Sequence, residues 1–226
     1  MTTNKKTIIL LSGGLDSLVC LGVCKEEYNI ELALTFDYGQ KSAKYEIEAS
    51  KKLSKFYGIE HQIIKLPFLE SITNTALVSD IKIPEKNLKT QSSANEVWVP
   101  NRNSLFLNIA ASYADSYNYT HIIFGANKAE SATFPDNSKN FVEKITECFK
   151  YSTLCNPEVV APLIKLEKEE IVKLALEQNL PLELTRSCYN NNKKNCGKCE
   201  SCTHLKNALL QNNDEKHVKV LFENAN

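Results

Sequence analysis

Short apolar segments alternate with amphipathic helical segments along most of this chain, and this alternation restricts the fold more than any other feature of the sequence. Residues 7–11, TIILL, are an apolar run that ends at a glycine pair, a pattern typical of a buried strand. Within residues 15–27, Leu15, Leu18 and Val19 lie on one helical face. The alternation predicts a Rossmann-like α/β fold, a parallel sheet with helices on both faces.

The same patterns continue as far as residue 178. Further strands are predicted at 30–36, 61–66, 121–124 and 158–161, and further helices at 42–57, 104–117, 141–149 and 167–178. Gly58 stands where a C-terminal helix cap is expected. Residues 73–98 show neither the periodicity of a strand nor that of a helix, which predicts a long loop or lid. The tail after residue 211 is compatible with helix or disorder.

The composition is typical of a globular protein and argues against several classes of partner. Of the 226 residues, 42% are apolar, and 27 Lys and Arg balance 27 Asp and Glu to a net charge of zero. A neutral chain has no overall field that would attract nucleic acid or an anionic membrane. The sequence shows no bilayer-spanning segment and no secretory signal pattern. We therefore predict a cytoplasmic protein without a membrane or nucleic-acid partner, in which thiols stay reduced.

The segment SGGLDS, residues 12–17, joins the first predicted strand to the first predicted helix. Two glycines let the backbone approach a ligand, the helix start offers N–H groups, and Ser12 and Ser17 add hydroxyl donors. The segment lacks the Gly-Lys-Ser/Thr of a Walker A loop and the spacing of the dinucleotide fingerprint. These features predict a phosphate cradle, with an ordinary turn capped by Ser12 or Asp16 as the alternative.

A group of cysteines near the end of the chain predicts a metal site. Its members are Cys188, Cys196, Cys199 and Cys202. Four thiolates match a structural zinc site, and Gly197 suits the tight turn between two ligands. An iron–sulfur cluster, a redox pair and ligation by His204 are the alternatives. The other cysteines are expected to be small buried apolar residues in helices: Cys20, Cys24, Cys148 and Cys155.

The SGGLDS string resembles the signature of the PP-loop ATP pyrophosphatase family. That resemblance implies a sheet of adenine-nucleotide type, a loop that grips the departing pyrophosphate, and a magnesium ion near Asp16. Asp16 and Ser17 of this string are predicted to be catalytic, together with Arg102 as a candidate contact of a phosphate or of the substrate carboxylate. The residues that the resemblance implies for ATP binding are Leu11, Ser12, Gly13, Gly14, Leu15, Asp16, Ser17, Leu18, Val19, Cys20 and Leu21.

Several strings that together cover nearly the whole chain resemble the 7-cyano-7-deazaguanine synthase family of queuosine biosynthesis. They are SGGLDS, DYGQK at 37–41, VPNRN at 99–103, FPDN at 134–137 and TRSCY with CGKCESC within 185–202. Asn137-Ser138 stands where many members have Cys-Arg, and His204 and Lys206 stand where an arginine often follows the last cysteine. Candidate replacements for those arginines are Lys128, Lys139 and Lys206.

The second resemblance implies an ATP-dependent carbon–nitrogen ligase. ATP would activate the carboxylate of 7-carboxy-7-deazaguanine, ammonia would displace the phosphate to give an amide, and a second activation would give the nitrile. The implied cofactors are Mg²⁺ with ATP and one Zn²⁺ per chain, and the implied partners are these small molecules and a second copy in a homodimer. The implied substrate-binding residues are Asp37, Arg102 and Asp136.

We divide the chain into a nucleotide-binding α/β domain, 1–180, and a small zinc-binding C-terminal subdomain, 181–226, packed on the first. In an open parallel sheet, chain that leaves the last strand–helix unit can fold back over the carboxyl edge, where the first loop also lies. We therefore expect residues 185–202 to form one wall of the deazaguanine pocket.

Other assignments stay open on the sequence alone. A nucleotide sheet with a cysteine cage also suits an RNA-binding module of the tRNA-thiolation kind, or a non-catalytic ATP-binding regulator. Arg102 suits a phosphate contact or an ion pair near a helix start, and Asp136 suits the substrate or a helix start. Asp37 suits either a ligand contact or a turn. Trp98 suits either a pocket wall or the core, and Lys165 suits either a phosphate contact or a solvated charge.

Overall fold

Five parallel strands form one sheet in the part of the chain that the computed structural model describes, residues 5–85 and 96–223. The strands are β1 (Lys6–Leu10), β2 (Asn29–Asp37), β3 (Glu60–Lys65), β4 (His121–Ile123) and β5 (Glu158–Val160). Their spatial order is β3-β2-β1-β4-β5, and every neighbouring pair is parallel. The strand order therefore reverses between β1 and β4, and ligands of open parallel sheets bind beside such a point, at the carboxyl ends of the strands.

Helices join the strands and cover the sheet. They are α1 (Leu15–Cys24), α2 (Ala43–Tyr57), α3 (Pro67–Ile72), α4 (Arg102–Tyr117), α5 (Lys128–Ser131), α6 (Lys139–Ser152), α7 (Lys168–Glu177), α8 (Glu200–Gln211) and α9 (Glu215–Leu221), with short 3₁₀ helices at Pro135–Asn137 and Leu182–Leu184. Ile8 and Ile9 of the central strand β1 are both fully buried. Because neighbouring residues of a strand point to opposite faces, both faces of the sheet are covered, and the α/β prediction is confirmed.

The predicted strands and most predicted helices match the structure within a few residues. Gly58 adopts the left-handed conformation, with φ of +69°, at the end of α2, as its position in the sequence predicted. The first helix was predicted to reach residue 27 but ends at Cys24, because Glu27 N and Tyr28 N bond back to the Cys24 carbonyl as the chain turns into β2. Helices α3 and α8 were not predicted, and the tail is helical in α9.

The described parts of the predicted long loop contain neither helix nor strand. They cover 73–85 and 96–98, and the rest of the loop, 86–95, lies outside the described residues. Ala76 N donates to Glu96 O at 2.8 Å, which ties the two described parts together. Lys41 N likewise donates to Leu77 O at 2.8 Å, which ties the loop to the chain after β2. These two described parts are thereby held over the carboxyl edge of the sheet.

The prediction for the cysteines outside the cluster is half right. Cys20 and Cys24 are buried in α1. Cys148 is exposed on α6, because it lies at the flank of the face that this helix buries through Ile145 and Phe149. Cys155 is half-buried in the connection before β5 and does not belong to a helix.

None of the helices in the described ranges combines the length and the apolar character that crossing a bilayer requires.

Helix α6 supplies a matched test of the core. Phe149 is fully buried, whereas Tyr151, two residues later, is 87% exposed. We expect Phe149→Ala to lower the free energy of unfolding by about 3–5 kcal/mol, because the vacated volume cannot fully collapse. Tyr151→Ala should change it by no more than about 0.5 kcal/mol. Urea unfolding followed by circular dichroism measures both, and equal effects would contradict the assignment of the buried face.

Candidate functional site at the carboxyl edge of the sheet

The loop 12–17 leaves β1 at the carboxyl edge and is organised by its own serines. Gly14 N donates to Ser12 Oγ at 3.3 Å, and Ser17 Oγ donates to Gly14 O at 3.0 Å. Helix α1 begins after Gly14, and no side chain caps it. The alternative prediction of Ser12 or Asp16 as an ordinary helix cap is therefore wrong. The N–H groups at the start of α1 remain available to an anion, as a phosphate cradle requires.

Gly13 serves the packing of the loop against α2. Its φ is +79°, and a Cβ on it would lie 2.8 Å from both Glu46 O and the Cβ of Ala49. Gly14, in contrast, would place a Cβ at ordinary contact distances, 3.4 Å from Ser12 Oγ and 3.6 Å from Arg186 O. Glycine is therefore required at position 13 by its positive φ and by the close approach of the loop to α2.

A cavity of about 240 Å³, the loop pocket, opens above the loop and the ends of β1 and β2. Residues of the predicted ATP-binding set that line it are Leu11, Ser12, Gly14, Leu15, Asp16 and Ser17. Gly13 faces α2 instead. The remaining members of the set lie fully buried in the core side of α1, away from the loop pocket: Leu18, Val19, Cys20 and Leu21.

A buried cation stands beside the loop. Lys168 Nζ lies 2.7 Å from Asp16 Oδ2 and 3.5 Å from Glu130 Oε1, and its side chain is only 13% exposed. Burial alone would lower the pKa of Lys168, but the two carboxylates outweigh it and hold that pKa well above the usual value. Burial raises the pKa of Asp16, and Lys168 opposes this. Asn127 Nδ2 also reaches Asp16 Oδ2, at 3.4 Å.

A second cavity of about 480 Å³, the deep pocket, adjoins the loop pocket. The rings of Trp98 and Phe134 stack in its wall with centroids 5.6 Å apart, so the prediction of Trp98 as a pocket residue is confirmed. Asp136, only 8% exposed, also lines it. The residues that line both pockets are Leu77, Arg102, Glu130, Asn137, Lys168, Tyr189 and Ser201.

Arg102 lies at the junction of the two pockets. Its Nη1 donates to the hydroxyl of Tyr38 at 3.0 Å, and its guanidinium stands 5.6 Å from the centre of the Tyr38 ring. Burial alone would lower the pKa of Arg102, but Tyr38 and Asp136 raise it, so that the guanidinium stays charged. Burial raises the pKa of Asp136, and Arg102 opposes that shift.

Other predicted site residues lie elsewhere. The carboxylate of Asp37 accepts a hydrogen bond from Gly39 N at 3.3 Å, which matches the alternative of a turn residue. Asp37 lines neither pocket. Lys165 is exposed and lines neither pocket, whereas Lys168, which sequence reasoning missed, lines both. The candidate replacements for the family arginines, which are Lys128, Lys139 and Lys206, line neither pocket. Lys128 forms an ion pair with Glu167, and Lys139 forms one with Glu143.

The four predicted cysteine ligands come together beside the deep pocket. Their Sγ atoms all lie within 4.8 Å of one another, and the Sγ atoms of Cys196 and Cys202 are 3.9 Å apart. Tetrahedral zinc with Zn–S bonds of about 2.3 Å requires S···S separations of about 3.8 Å. Gly197 has φ of +70°, as predicted, and backbone N–H groups of Lys198 and Cys199 point at Cys196 Sγ, at 3.4 and 3.3 Å. The cluster therefore fits a zinc site.

Two residues join this cluster to the loop. Asn195 Oδ1 accepts from Cys188 N at 3.1 Å and from Arg186 Nη1 at 3.3 Å. Arg186 N in turn donates to Gly13 O at 2.8 Å. Tyr189 and Ser201, from the same segment, line both pockets. The segment 185–202 thus folds back over the carboxyl edge and walls the pockets, in the position that the sequence analysis expected.

Comparison with known proteins gives one consistent result. A profile of the family described as queuosine biosynthesis protein QueC matches residues 6–213. The chain is 45% identical to a 7-cyano-7-deazaguanine synthase of Methanosarcina barkeri (90% of this chain and 93% of the relative) and 48% identical to one of Carboxydothermus hydrogenoformans (90% and 98%). It is 42% identical to one of Bdellovibrio bacteriovorus (96% and 99%).

A solved structure described as NMN synthetase from Francisella tularensis shares the fold of this chain. The TM-score is 0.51 at 17% identity, with 99% of this chain and 81% of that chain covered.

The two loop glycines provide a matched test. We expect Gly13→Ala to lower the free energy of unfolding by roughly 2 kcal/mol or more, because alanine is strained at positive φ and its Cβ would overlap the backbone of α2. Gly14→Ala should cost about 1 kcal/mol or less. Chemical denaturation of both variants measures the difference. A Gly13→Ala protein as stable as Gly14→Ala would contradict the packing role.

Proposed function

The chain belongs to the family of the queuosine biosynthesis protein QueC, and on that premise we propose that it is an ATP-dependent 7-cyano-7-deazaguanine synthase. The proposed reaction converts 7-carboxy-7-deazaguanine and ammonia to the nitrile through an activated carboxylate and an amide. The observation that best supports it in the structure is that the loop pocket and the deep pocket meet at a shared set of charged residues. Ligands in the two pockets would bring their reacting groups together there.

The loop pocket suits an adenine nucleotide. Leu34 and Phe36, at the end of β2, offer an apolar surface to a flat base. The start of α1 and the serine hydroxyls of the loop suit phosphate oxygens. Asp16 Oδ1 is buried and makes no hydrogen bond within the described parts of the chain, so Asp16, with Glu130 nearby, would hold the Mg²⁺ that accompanies ATP. When bound, that ion would neutralise phosphate charge.

The deep pocket suits the deazaguanine acid. A flat heterocycle can stack against the Trp98–Phe134 pair, and pockets of several hundred Å³ are typical of small-molecule sites. Asp136 and Glu200 offer carboxylate oxygens to ring N–H and amino groups. We therefore place the heterocycle in the deep pocket, with its carboxylate directed at the junction.

The residues at the junction would orient the reacting groups. An oxygen of the substrate carboxylate attacks a phosphorus of ATP, and the phosphorus–oxygen bond to the leaving phosphate breaks. Arg102, whose guanidinium donates to the Tyr38 hydroxyl, can bind the carboxylate in line with that phosphorus. Ammonia then attacks the activated carbon and expels the phosphate as the amide forms, and activation of the amide oxygen by a second ATP lets it leave as the nitrile forms. Donors that meet charge on the leaving oxygens assist each of these steps.

We propose that the cysteine cluster holds one zinc ion per chain and that its role is structural. Four thiolates complete a tetrahedral shell and leave no position for water or ammonia. In this proposal residues 181–226 act as a zinc-held subdomain on the nucleotide-binding domain, 1–180. The Arg186–Gly13 and Asn195–Cys188 hydrogen bonds support that arrangement, because they link the cluster to the loop.

We propose further that the protein is a cytoplasmic homodimer that acts on small molecules and binds neither membrane nor nucleic acid. All eight cysteines are unbridged thiols, which fits a reducing compartment. Light scattering of the purified protein measures the proposed dimer directly.

Product analysis tests the proposed function. We expect the protein, given ATP, Mg²⁺, ammonium and 7-carboxy-7-deazaguanine, to form the nitrile with an amide on the way, both detected by mass spectrometry. ATP consumption independent of the acid would favour a different ligase. Nucleotide binding without turnover would favour the regulator, and turnover that requires tRNA would favour the RNA-binding alternative.

The zinc proposal has a matched pair of cysteines as its test. We expect elemental analysis to find one zinc per chain, and Cys199→Ser to lose that zinc and melt at a lower temperature, because zinc binding stabilises small metal-held units by about 10–16 kcal/mol. Cys148→Ser, at an exposed position outside the cluster, should keep both properties. Iron with sulfide, or an unchanged Cys199→Ser, would contradict the proposal.

If residues 185–202 form one wall of the deazaguanine pocket, loss of zinc should weaken the binding of the two ligands in a defined order. In partly zinc-depleted protein that is still folded, the affinity for the deazaguanine acid should fall before the affinity for ATP, because the loop pocket is lined mainly by β1, β2 and the loop 12–17, whereas Glu200 of the segment lines the deep pocket alone. Calorimetric titration of each ligand measures this, and the reverse order would contradict it.

A further inference from the structure

A third cavity, of about 380 Å³, lies between α2, the segment 185–202 and the end of α9, and we call it the basic cavity. The proposed reaction assigns it no role. The charged residues that line it are the cations Lys44, Lys52, Arg186, Lys193 and Lys194 and the carboxylates Glu48 and Glu183. Cations therefore outnumber carboxylates here by five to two, although the net charge of the chain is zero. A local excess of positive charge in a cleft attracts an anionic ligand.

The lysines of the basic cavity stand on two walls that act on each other. On α2, Lys52 Nζ lies 2.7 Å from Glu48 Oε1. The pKa of Glu48 is lowered first by Lys52 and further by Lys44 and Lys193, so Lys193 of the segment 185–202 lies close enough to influence a carboxylate of α2. Within the described parts of the chain, Lys44, Lys193 and Lys194 form no ion pair with a carboxylate. Their charges are therefore available to a ligand.

A buried cation with a free donor forms part of the same cavity. Arg186 is only 6% exposed, and its Nη1 and Nη2 donate to Asn195 Oδ1 at 3.3 Å and to Asn190 O at 2.8 Å. Its Nε, also buried, finds no acceptor among the residues that the structure describes. A buried donor without an acceptor is costly, and arginine cannot shed the proton. The unsatisfied N–H is therefore an independent sign of an oxyanion ligand.

The size and the lining of the basic cavity restrict the kind of anion. A volume of about 380 Å³ lies within the range of small-molecule sites, roughly 300–1,000 Å³. Lysine binds phosphate as a point charge, and a chain of linked phosphates can reach lysines on both walls at once. The aromatic ring in the lining, that of Tyr45, already faces Arg186 at 5.2 Å and Lys44 at 5.4 Å from its centre. Recognition therefore falls on phosphate groups and not on a stacked base.

We propose that the basic cavity is a second binding site, for a small anion with two or more linked phosphate groups, such as inorganic pyrophosphate. Lys44 and Lys193 bind its oxygens from the two walls, and Arg186 supplies the buried donor. The inference does not rest on the proposed function, because no residue of the deep pocket takes part. Arg186 N donates to Gly13 O, so the bound anion would lie next to the loop 12–17 without entering the loop pocket.

Two double variants with the same change of charge test the site. Inorganic pyrophosphate is titrated calorimetrically into protein that holds an excess of a non-hydrolysable ATP analogue, so that the loop pocket does not compete. The wild type should show one saturable site per chain. Lys44→Gln/Lys193→Gln should weaken binding by about tenfold or more. Lys51→Gln/Lys55→Gln, at exposed positions of α2 outside the cavity, should change it by less than about twofold. No binding to the wild type, or equal loss in both double variants, would overturn the inference.

A variant with the opposite expected sign separates this role from a loss of structure. Glu48→Gln removes a carboxylate from the cavity and frees Lys52, so it should strengthen pyrophosphate binding by about threefold or more. An unchanged or weaker affinity would count against the site. Adenosine diphosphate in place of pyrophosphate shows whether the linked phosphates are carried on a nucleotide, which binds more tightly in that case, or are inorganic. A short RNA that requires Lys44 and Lys193, with no binding of either small anion, would overturn the inference in favour of an RNA surface.

Discussion

The ion pair between Asp16 and Lys168 joins two parts of the chain that are 152 residues apart, and the site takes its shape from that contact. Asp16 belongs to the first connection after the central strand, and Lys168 begins the helix after the last strand. In a parallel sheet the carboxyl ends of all strands lie at one edge, so residues from distant connections meet there without any local signal between them. Without the charge of Lys168, the carboxylates of Asp16 and Glu130 would have no cation between them. Asp16 would then lack its main partner altogether, because its buried Oδ1 already has no donor among the described residues.

The second constraint is the close approach of the loop to its neighbours. Gly13 meets the backbone of α2 on one side, and its carbonyl accepts from Arg186 N on the other. Arg186 is almost fully buried, and its guanidinium also donates to Asn190 O at 2.8 Å and stands 5.2 Å from the centre of the Tyr45 ring. The loop 12–17 is therefore held between α2 and the segment 185–202. A metal bound by the four cysteines would act on the loop through these contacts.

The sequence predicted those features whose signal is local. Buried strands, the cap at Gly58 and the turn at Gly197 depend on residues within a few positions. The four cysteines were identified from their spacing in the sequence. Lys168 was missed, and Lys165 was considered instead, because both are lysines after the last strand and only the start of α7 decides which one turns inward. Tyr189 was missed for a similar reason, since its burial depends on how the cysteine segment folds back. The contact of Gly13 with α2 was missed because the residues that form it are far apart in sequence.

The departures from the family strings now have a physical account. Ser138 accepts from Phe141 N at 3.1 Å and caps α6, and the amide of buried Asn137 reaches Asp136 Oδ1 at 3.3 Å. Position 138 is thus committed to the helix start and presents no cation to either pocket. His204 lines the deep pocket beside Glu200, with its Nε2 3.9 Å from Glu200 Oε1. With the surface lysines directed elsewhere, the permanent cations that line the junction are Arg102 and Lys168. These two cations belong to α4 and α7, and neither stands at a position where the family strings of the sequence analysis have an arginine.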